Sequence, residues 1–259
     1  MTILLLTSAT GAPGVTTTAL GLTLAWPRDA LLVDADRTPA QAVLAGYLKG
    51  TSGATGLGEL ARIHREQRTL DHELLRCCVP LPELEVSTHR RLFLPGFTGP
   101  GAAALFATVW PDLVEALDRV EATGLDVIID AGRIGDGLPG PLLARADRVL
   151  LLTHTSLRAL AGTRLYLPQL TQRAAQVSAR GEVGLLLVGE GRPYPAKEIA
   201  DRFRVPVHGS LPLDPEAAAL WSDGAPATRR TRGSKLARAF AALASEFGVP
   251  APRATEVTA

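Results

Sequence analysis

Thr10-Gly11-Ala12-Pro13-Gly14-Val15-Thr16-Thr17 is the stretch on which the reading of this 259-residue chain turns. It follows the apolar run Ile3-Leu4-Leu5-Leu6 and leads into a helix-like segment, Thr17–Trp26. A strand, a glycine-bearing loop and a helix in that order are the setting of a Walker A phosphate loop, G-x-x-x-x-G-K-[ST]. The frame is incomplete, because Ala9 stands in place of its first glycine and Val15 in place of its lysine. Gly11 and Gly14 still allow a tight turn that brings backbone amides close to phosphate oxygens, with Ala12 and Pro13 between them. The start of the helix adds unpaired N–H groups and a positive dipole end. Thr16 falls where the motif has its Mg²⁺-binding hydroxyl, with Thr17 beside it. Backbone donors do not depend on side chains, so a phosphate cradle can outlast its lysine. A plain Gly-Pro turn between strand and helix is the competing reading.

Outward from this loop, short apolar runs alternate with longer amphipathic segments. The runs Ile3–Thr7, Leu31–Asp34, Leu92–Pro95, Val127–Asp130, Val149–Thr153, Val183–Val188 and Val207–Leu211 predict strands. Several are apolar throughout, as in strands buried on both faces. Helical patterns fall between them at Thr17–Trp26, Pro39–Leu48, Leu57–Glu66, Leu105–Thr123, Ser156–Ala179, Pro195–Phe203 and Ser234–Phe247. Repeated strand–helix–strand units predict an α/β protein with a doubly wound, mostly parallel sheet and helices on both faces. The expected organisation is a single domain over 1–249 and a flexible tail over 250–259, with a mobile loop at Lys49–Gly58.

Composition bounds the possibilities. Hydrophobic residues make up 46%, enough for a large core, and the net charge of +1 excludes a polycation. No apolar run approaches the roughly 18–20 residues of a membrane span. The N-terminal run has no basic stretch before it and reads as a first strand, so the expectation is a cytoplasmic protein. Cys77 and Cys78 are adjacent, which suits neither a mutual disulfide nor zinc spacing.

Two strand ends carry acids. Leu31-Leu32-Val33-Asp34-Ala35-Asp36 places two carboxylates at a strand tip, able to hold a metal-bound water or orient an attacking one, or else simply solvated. Asp126-Val127-Ile128-Ile129-Asp130-Ala131-Gly132 closes an apolar run with an acid, the Walker B arrangement, in which Asp130 meets Mg²⁺ directly or through water. Gly132 offers a backbone amide free to turn toward a γ-phosphate.

With these elements in this order, the chain resembles the MinD/ParA-type deviant Walker A ATPases over Ile3 to about Phe247. The resemblance includes the late segment Val207-His208-Gly209-Ser210-Leu211-Pro212-Leu213-Asp214, similar to the family's G-x-[IL]-P-x-D strand end beside the nucleotide base. It implies a P-loop fold and ATP with Mg²⁺ held between two subunits of a homodimer. It implies that Gly11, Ala12, Pro13, Gly14, Val15, Thr16 and Thr17 surround the phosphates, with Pro212 and Asp214 near the base. It further implies that Thr16, Asp34 and Asp130 serve the metal and Asp36 positions the attacking water. The departures are as informative. Thr10 replaces the lysine that reaches across the dimer, Val15 replaces the second lysine, and Leu187-Val188-Gly189-Glu190 lacks the adenine-reading asparagine.

Each lost charge-assisted hydrogen bond is worth about 1.5–3 kcal/mol, and catalysis should suffer more than binding. Arg37 and Arg133 follow the two acidic strand ends and could restore a charge, or face solvent or nearby acids. The expectation is a degenerate member with slow or absent ATP hydrolysis, a scaffold similar to the TadZ/CpaE group that positions a pilus or secretion machinery through protein partners. One alternative is an active ATP-dependent switch that uses arginines. Another is a DNA-partitioning protein, drawing on Arg229, Arg230, Arg232 and Lys235, although a solvated face is favoured for these. The stripe Leu236, Phe240, Leu243 and Phe247 reads as core more than as a peripheral membrane face, and Ser156–Ala179 could supply a dimer interface.

Overall fold

A computed structural model of the chain describes residues 2–50, 56–82, 88–191 and 193–249. The expected tail at 250–259 and positions 51–55 of the expected loop lie outside the described residues. Among the described residues, one sheet contains β1 (Ile3–Ser8), β2 (Ala30–Asp34), β3 (Val79–Pro80), β4 (Arg91–Leu94), β5 (Asp126–Arg133), β6 (Arg148–His154), β7 (Glu182–Val188) and β8 (Val207–Leu211). The strand order is β3-β4-β2-β5-β1-β6-β7-β8, and only the edge pair β3–β4 is antiparallel. β3 escapes the sequence pattern because it is two residues long and contains a proline, which suits an edge that needs no ladder donor.

The helices are α1 (Val15–Ala25), α2 (Gly56–Arg65), α3 (Ala102–Leu105), α4 (Trp110–Ala122), α5 (Gly140–Arg145), α6 (Leu157–Gln176), α7 (Ala196–Phe203), α8 (Pro215–Ser222), α9 (Arg229–Arg232) and α10 (Lys235–Phe247). Leu4 and Leu6 of β1 point into one apolar layer with α1, α8 and α10; Ile3 and Leu5 point into the other, with α2, α4, α5, α6 and α7. Both faces are therefore covered, which is why the strands are apolar throughout. The stripe Leu236, Phe240, Leu243 and Phe247 is buried in the first of these layers, so it is a core face and not a membrane face. There Gly21 of α1 lies flat against the Phe240 ring, where a Cβ would overlap the aromatic atoms.

Three expected helices change form. The first starts earlier, at Val15, because Gly14 takes a left-handed conformation (φ 87°) and begins the helix directly after itself. Pro39–Leu48 reduces to a single π-type turn, Val43–Tyr47, after Gln41 breaks the helical path with φ 49°. Leu105–Thr123 splits into α3 and α4, and Pro111 has no N–H to carry a hydrogen bond across the break.

The chain leaves β1 for β2 on one side and crosses through β5 to β6 on the other. The loop after β1 thus sits at the reversal of strand order, where ligands bind in such sheets. Leu6 of β1 and Asp34 of β2 both pair in register with Asp130 of β5, so the three acidic or loop-bearing strand ends finish level.

The opposite end of β5 is fastened by Asp126, fully buried. Its carboxylate accepts from the Thr2 amide at 2.7 Å and from Trp26 Nε1 at 2.7 Å, and ion-pairs with Arg28 at 2.5 Å. Asp126→Ala leaves these donors without an acceptor and should cost about 3 kcal/mol or more of stability, read by urea unfolding. A loss under about 1 kcal/mol would mean that these groups find other partners.

Candidate functional site

The loop after β1 is built by two glycines in the left-handed region, Gly11 (φ 73°) and Gly14 (φ 87°). Gly14 precedes the first turn of α1, where no acid is present and no side chain caps the free N–H groups. The first intrahelical bond in this region runs from the Thr18 amide to the Gly14 carbonyl at 2.8 Å. The amides of residues 15–17 are therefore donors without a helical acceptor. They border a cavity of about 170 Å³ lined by Gly11, Ala12, Pro13, Gly14, Val15 and Thr16 together with Ser8, Asp36, Gly132 and Arg133.

Val15 is among the residues lining this cavity, yet it is buried in the layer with α1, α8 and α10. The side chain at the lysine position therefore belongs to the core. Thr10, at the other lysine position, packs against α6 at Gly162, where a Cβ would overlap its hydroxyl. Thr17 sits over Gly14, 3.8 Å from where a Cβ on that glycine would lie.

The acids converge behind the loop. The Gly132 amide donates to Asp130 at 2.9 Å, and the Thr16 hydroxyl lies beside the same carboxylate. Gly132 is left-handed (φ 59°), and a Cβ there would enter the Asp36 carboxylate, which rests directly on it. Asp36 accepts from the Thr38 amide at 2.8 Å, and Asp34 accepts from the Asp36 amide at 3.2 Å. A Cβ on Gly96 would lie 2.6 Å from the Asp34 carboxyl carbon, so that glycine too is fixed by the acid cluster. Burial, reinforced by the neighbouring Asp130 charge, pushes Asp34 up to about 8. Burial also raises Asp130 to about 6, against the opposing effects of the nearby Thr16 hydroxyl and the Gly132 amide. Asp36 is raised by burial too, against the Thr38 amide and the charges of Arg133 and Arg37.

The two arginines separate. Arg133 Nε donates to the Gly11 carbonyl at 3.0 Å and lines the cavity. Arg37 turns away, donating to Asp136 at 2.6 Å and to the Ile134 carbonyl at 2.7 Å. Pro212 and Asp214 lie on the β8–α8 connection, outside that cavity, where Asp214 caps α8 by accepting from the Ala217 amide at 3.0 Å. Glu190, in the stretch without the asparagine, accepts from the Ala196 amide at 3.1 Å at the start of α7. In the basic cluster, Arg230 pairs with Glu216 at 3.2 Å on the exposed surface. Cys77 and Cys78 are free thiols, and burial pushes Cys78 up to about 12. Ser8, Thr7 and Gly96 were not singled out from the sequence. Thr7, fully buried, donates its hydroxyl to the Gly132 carbonyl at 3.0 Å.

A level row of strand ends, a glycine loop and a helix N-terminus define the class, a P-loop nucleotide-binding fold. Among solved structures this is the fold of the MinD and ParA ATPases. The ParA family ATPase from Chlorobium tepidum TLS superposes with a TM-score of 0.70 at 16% identity, covering 94% of this chain and 98% of that one. The septum site-determining protein MinD from Pyrococcus horikoshii OT3, complexed with Mg-ADP, gives 0.66 at 21% identity, covering 95% of each chain. A plasmid partition protein of Borrelia burgdorferi B31 bound to AMPPNP gives 0.61 at 13%, covering 95% of this chain and 97% of that one. No protein-family model and no curated protein matches the chain.

Two of these neighbours hold Mg-ADP or AMPPNP, and the residues present here can be tested for fit to such groups. The cradle suits phosphate oxygens: left-handed glycines, free amides, an acid-free first turn and one guanidinium alongside. Among the described residues no group of three or more His, Cys, Asp and Glu forms a ready metal cage. A Mg²⁺ ion would therefore rest on Thr16, one or two of Asp34 and Asp130, and water and phosphate oxygens. When bound it would supply positive charge to those oxygens. Among the described residues no helix is long and apolar enough to cross a membrane.

The raised carboxyls make stability fall with pH. The folded state keeps protons that the unfolded chain, with Asp near 3.8, releases. Their contribution is complete below that value and is lost as pH rises through about 6 and then about 8. Urea unfolding should show a more stable protein at about pH 5 than at about pH 9, with Asp34→Asn removing most of the difference. An unchanged slope in Asp34→Asn would place the titrating proton elsewhere.

Proposed function

We propose that this chain is a MinD/ParA-like positioning or scaffold protein that keeps a phosphate-binding loop but hydrolyses ATP slowly or not at all. The observation that carries the reading is the burial of Val15. The backbone cradle is intact, while the side chain at the lysine position points into the core and brings no charge to the phosphates. Phosphoryl transfer depends on stabilising charge that develops in the transition state, so hydrolysis suffers more than binding from that loss. In this reading the residues around the 170 Å³ cavity and Thr17 hold the phosphates, and Thr16, Asp34 and Asp130 serve Mg²⁺. Asp36 orients water, and Pro212 and Asp214 flank the base. The protein acts as a cytoplasmic homodimer on protein partners, with the assembly of a pilus or secretion machinery as its field.

A second reading has a specific observation in its favour. Arg133 stands beside the loop, bonded to the Gly11 carbonyl, and could supply the missing charge to an ATP-gated dimerisation switch. Calorimetric titration with ATP and Mg²⁺, with light scattering in the same buffer, separates the two. The scaffold reading expects weak binding, little turnover and no change in oligomeric state. Tight binding with a shift to dimer, and a turnover that Asp36→Ala abolishes, overturns it in favour of the switch. In either case Arg133→Gln should weaken ATP binding about tenfold, the worth of one charge-assisted hydrogen bond.

A further inference from the structure

A second cavity opens beside the candidate nucleotide site, on the other side of Arg37. Its volume is about 610 Å³, within the roughly 300–1,000 Å³ typical of small-molecule clefts. One wall is α6, from which Gln169, Gln172, Arg173 and Gln176 all face the cleft, three or four residues apart on a single helical stripe. The small residues Ala103, Ala104 and Ala107 line the same cleft together with Trp110. Polar groups able to donate and accept thus share the cleft with side chains that leave them room.

The charges in the cleft do not cancel. Arg173 lies against the start of α5, with Nη2 3.3 Å from where a Cβ on Gly140 would be. Its hydrogen-bond partner is Gln176 at 3.5 Å, and among the described residues no ion pair joins it to a carboxylate. Arg37 pairs with Asp136, an acid 88% exposed at the rim, and its buried Nε has no partner. Two guanidiniums therefore face one solvated carboxylate. An anion entering the cleft could bond Arg173 and replace the exposed Asp136 carboxylate on Arg37.

We propose that this cleft is a second ligand site, for a small organic anion held by Arg37 and Arg173 and hydrogen-bonded by the glutamines of α6. Guanidinium forks grip carboxylates and phosphate monoesters alike, so either chemistry is compatible with the site. The proposal does not depend on the nucleotide reading, because none of these side chains except Arg37 adjoins that site.

Trp110 reports on the cleft, and the other tryptophans, Trp26 and Trp221, are buried in the opposite layer. With 5-fluorotryptophan incorporated, the ¹⁹F resonance lost in Trp110→Phe identifies the reporter. Citrate and glycerol 3-phosphate are titrated separately, so that a response to one alone names the carboxylate or the phosphate source. The expected result is a saturable shift of the Trp110 signal with unmoved Trp26 and Trp221 signals. Arg173→Gln and Arg37→Gln should each weaken it roughly tenfold or more. Arg133→Gln, at the phosphate loop, should leave it unchanged. The Trp26 and Trp221 signals also report whether each variant is folded. The proposal is overturned if neither probe moves the Trp110 signal, if Arg173→Gln responds like the unaltered protein, or if Arg133→Gln abolishes the shift.

Discussion

The Asp130 carboxylate, which accepts from the Gly132 amide and lies beside the Thr16 hydroxyl, joins the two segments on which the site depends. Thr16 belongs to the first turn of α1 and Asp130 to β5, more than a hundred residues later. Around that carboxylate three hydrogen bonds tie the strand ends together: the Gly132 amide donates to Asp130, the Thr7 hydroxyl donates to the Gly132 carbonyl, and the Ile134 amide donates to the Ser8 carbonyl. An unpaired polar group at this depth costs about 1–3 kcal/mol, so the network leaves the loop few alternative positions. Gly132 serves twice. Its left-handed conformation turns the chain at the end of β5, and its missing side chain is the space in which Asp36 sits.

The same packing explains where positive charge can stand. The side chain at position 15 belongs to the layer formed by α1, α8 and α10, which also holds Leu4, Leu6 and Phe240. An ammonium left in that layer without a partner would cost several kcal/mol, so a lysine there would have to turn its head toward the cavity. Valine instead extends the apolar layer up to the edge of the loop. The cation beside the loop comes from the tip of β5, where Arg133 reaches the Gly11 carbonyl through solvent-exposed space. Loop shape and loop charge are thus set by different elements, the first by glycine conformation and the second by a side chain on a neighbouring strand.

Much of this was legible in the sequence. The apolar strands β1, β2 and β4 to β8 and the level placement of Asp34 and Asp130 follow from short β-branched or leucine-rich runs ending in acids. Other features were hidden for identifiable reasons. α5 is six residues long, too short for a periodic signal. α8 begins with an Asp cap followed by proline, a start signal that coincides with the end of the strand-end motif at Asp214. Adjacent positions in sequence gave no means to tell Arg37 from Arg133, since each follows an acidic strand end. Their separation depends on which way the chain turns after β2 and β5, and on the presence of Asp136 to hold Arg37. The support that Gly96 gives Asp34 comes from the end of β4, and only the pairing of β2 with β4 brings the two together.

The charge balance constrains what the site can accept. At neutral pH the raised Asp34 keeps its proton, which leaves at most the charges of Asp36 and Asp130 against that of Arg133. The loop amides and the α1 dipole add only partial positive charge at the helix end. The bare pocket is therefore no strong trap for a triphosphate, whose own charge would face those carboxylates. A divalent cation reverses that balance, since its two charges exceed the single excess of the acids. In the proposed reading the carboxylates that repel phosphate are the groups that would hold the metal. In a loop with its lysine the cradle could draw phosphate by itself. Here, in the proposed reading, a bound metal would supply the positive charge that the lysine supplies elsewhere.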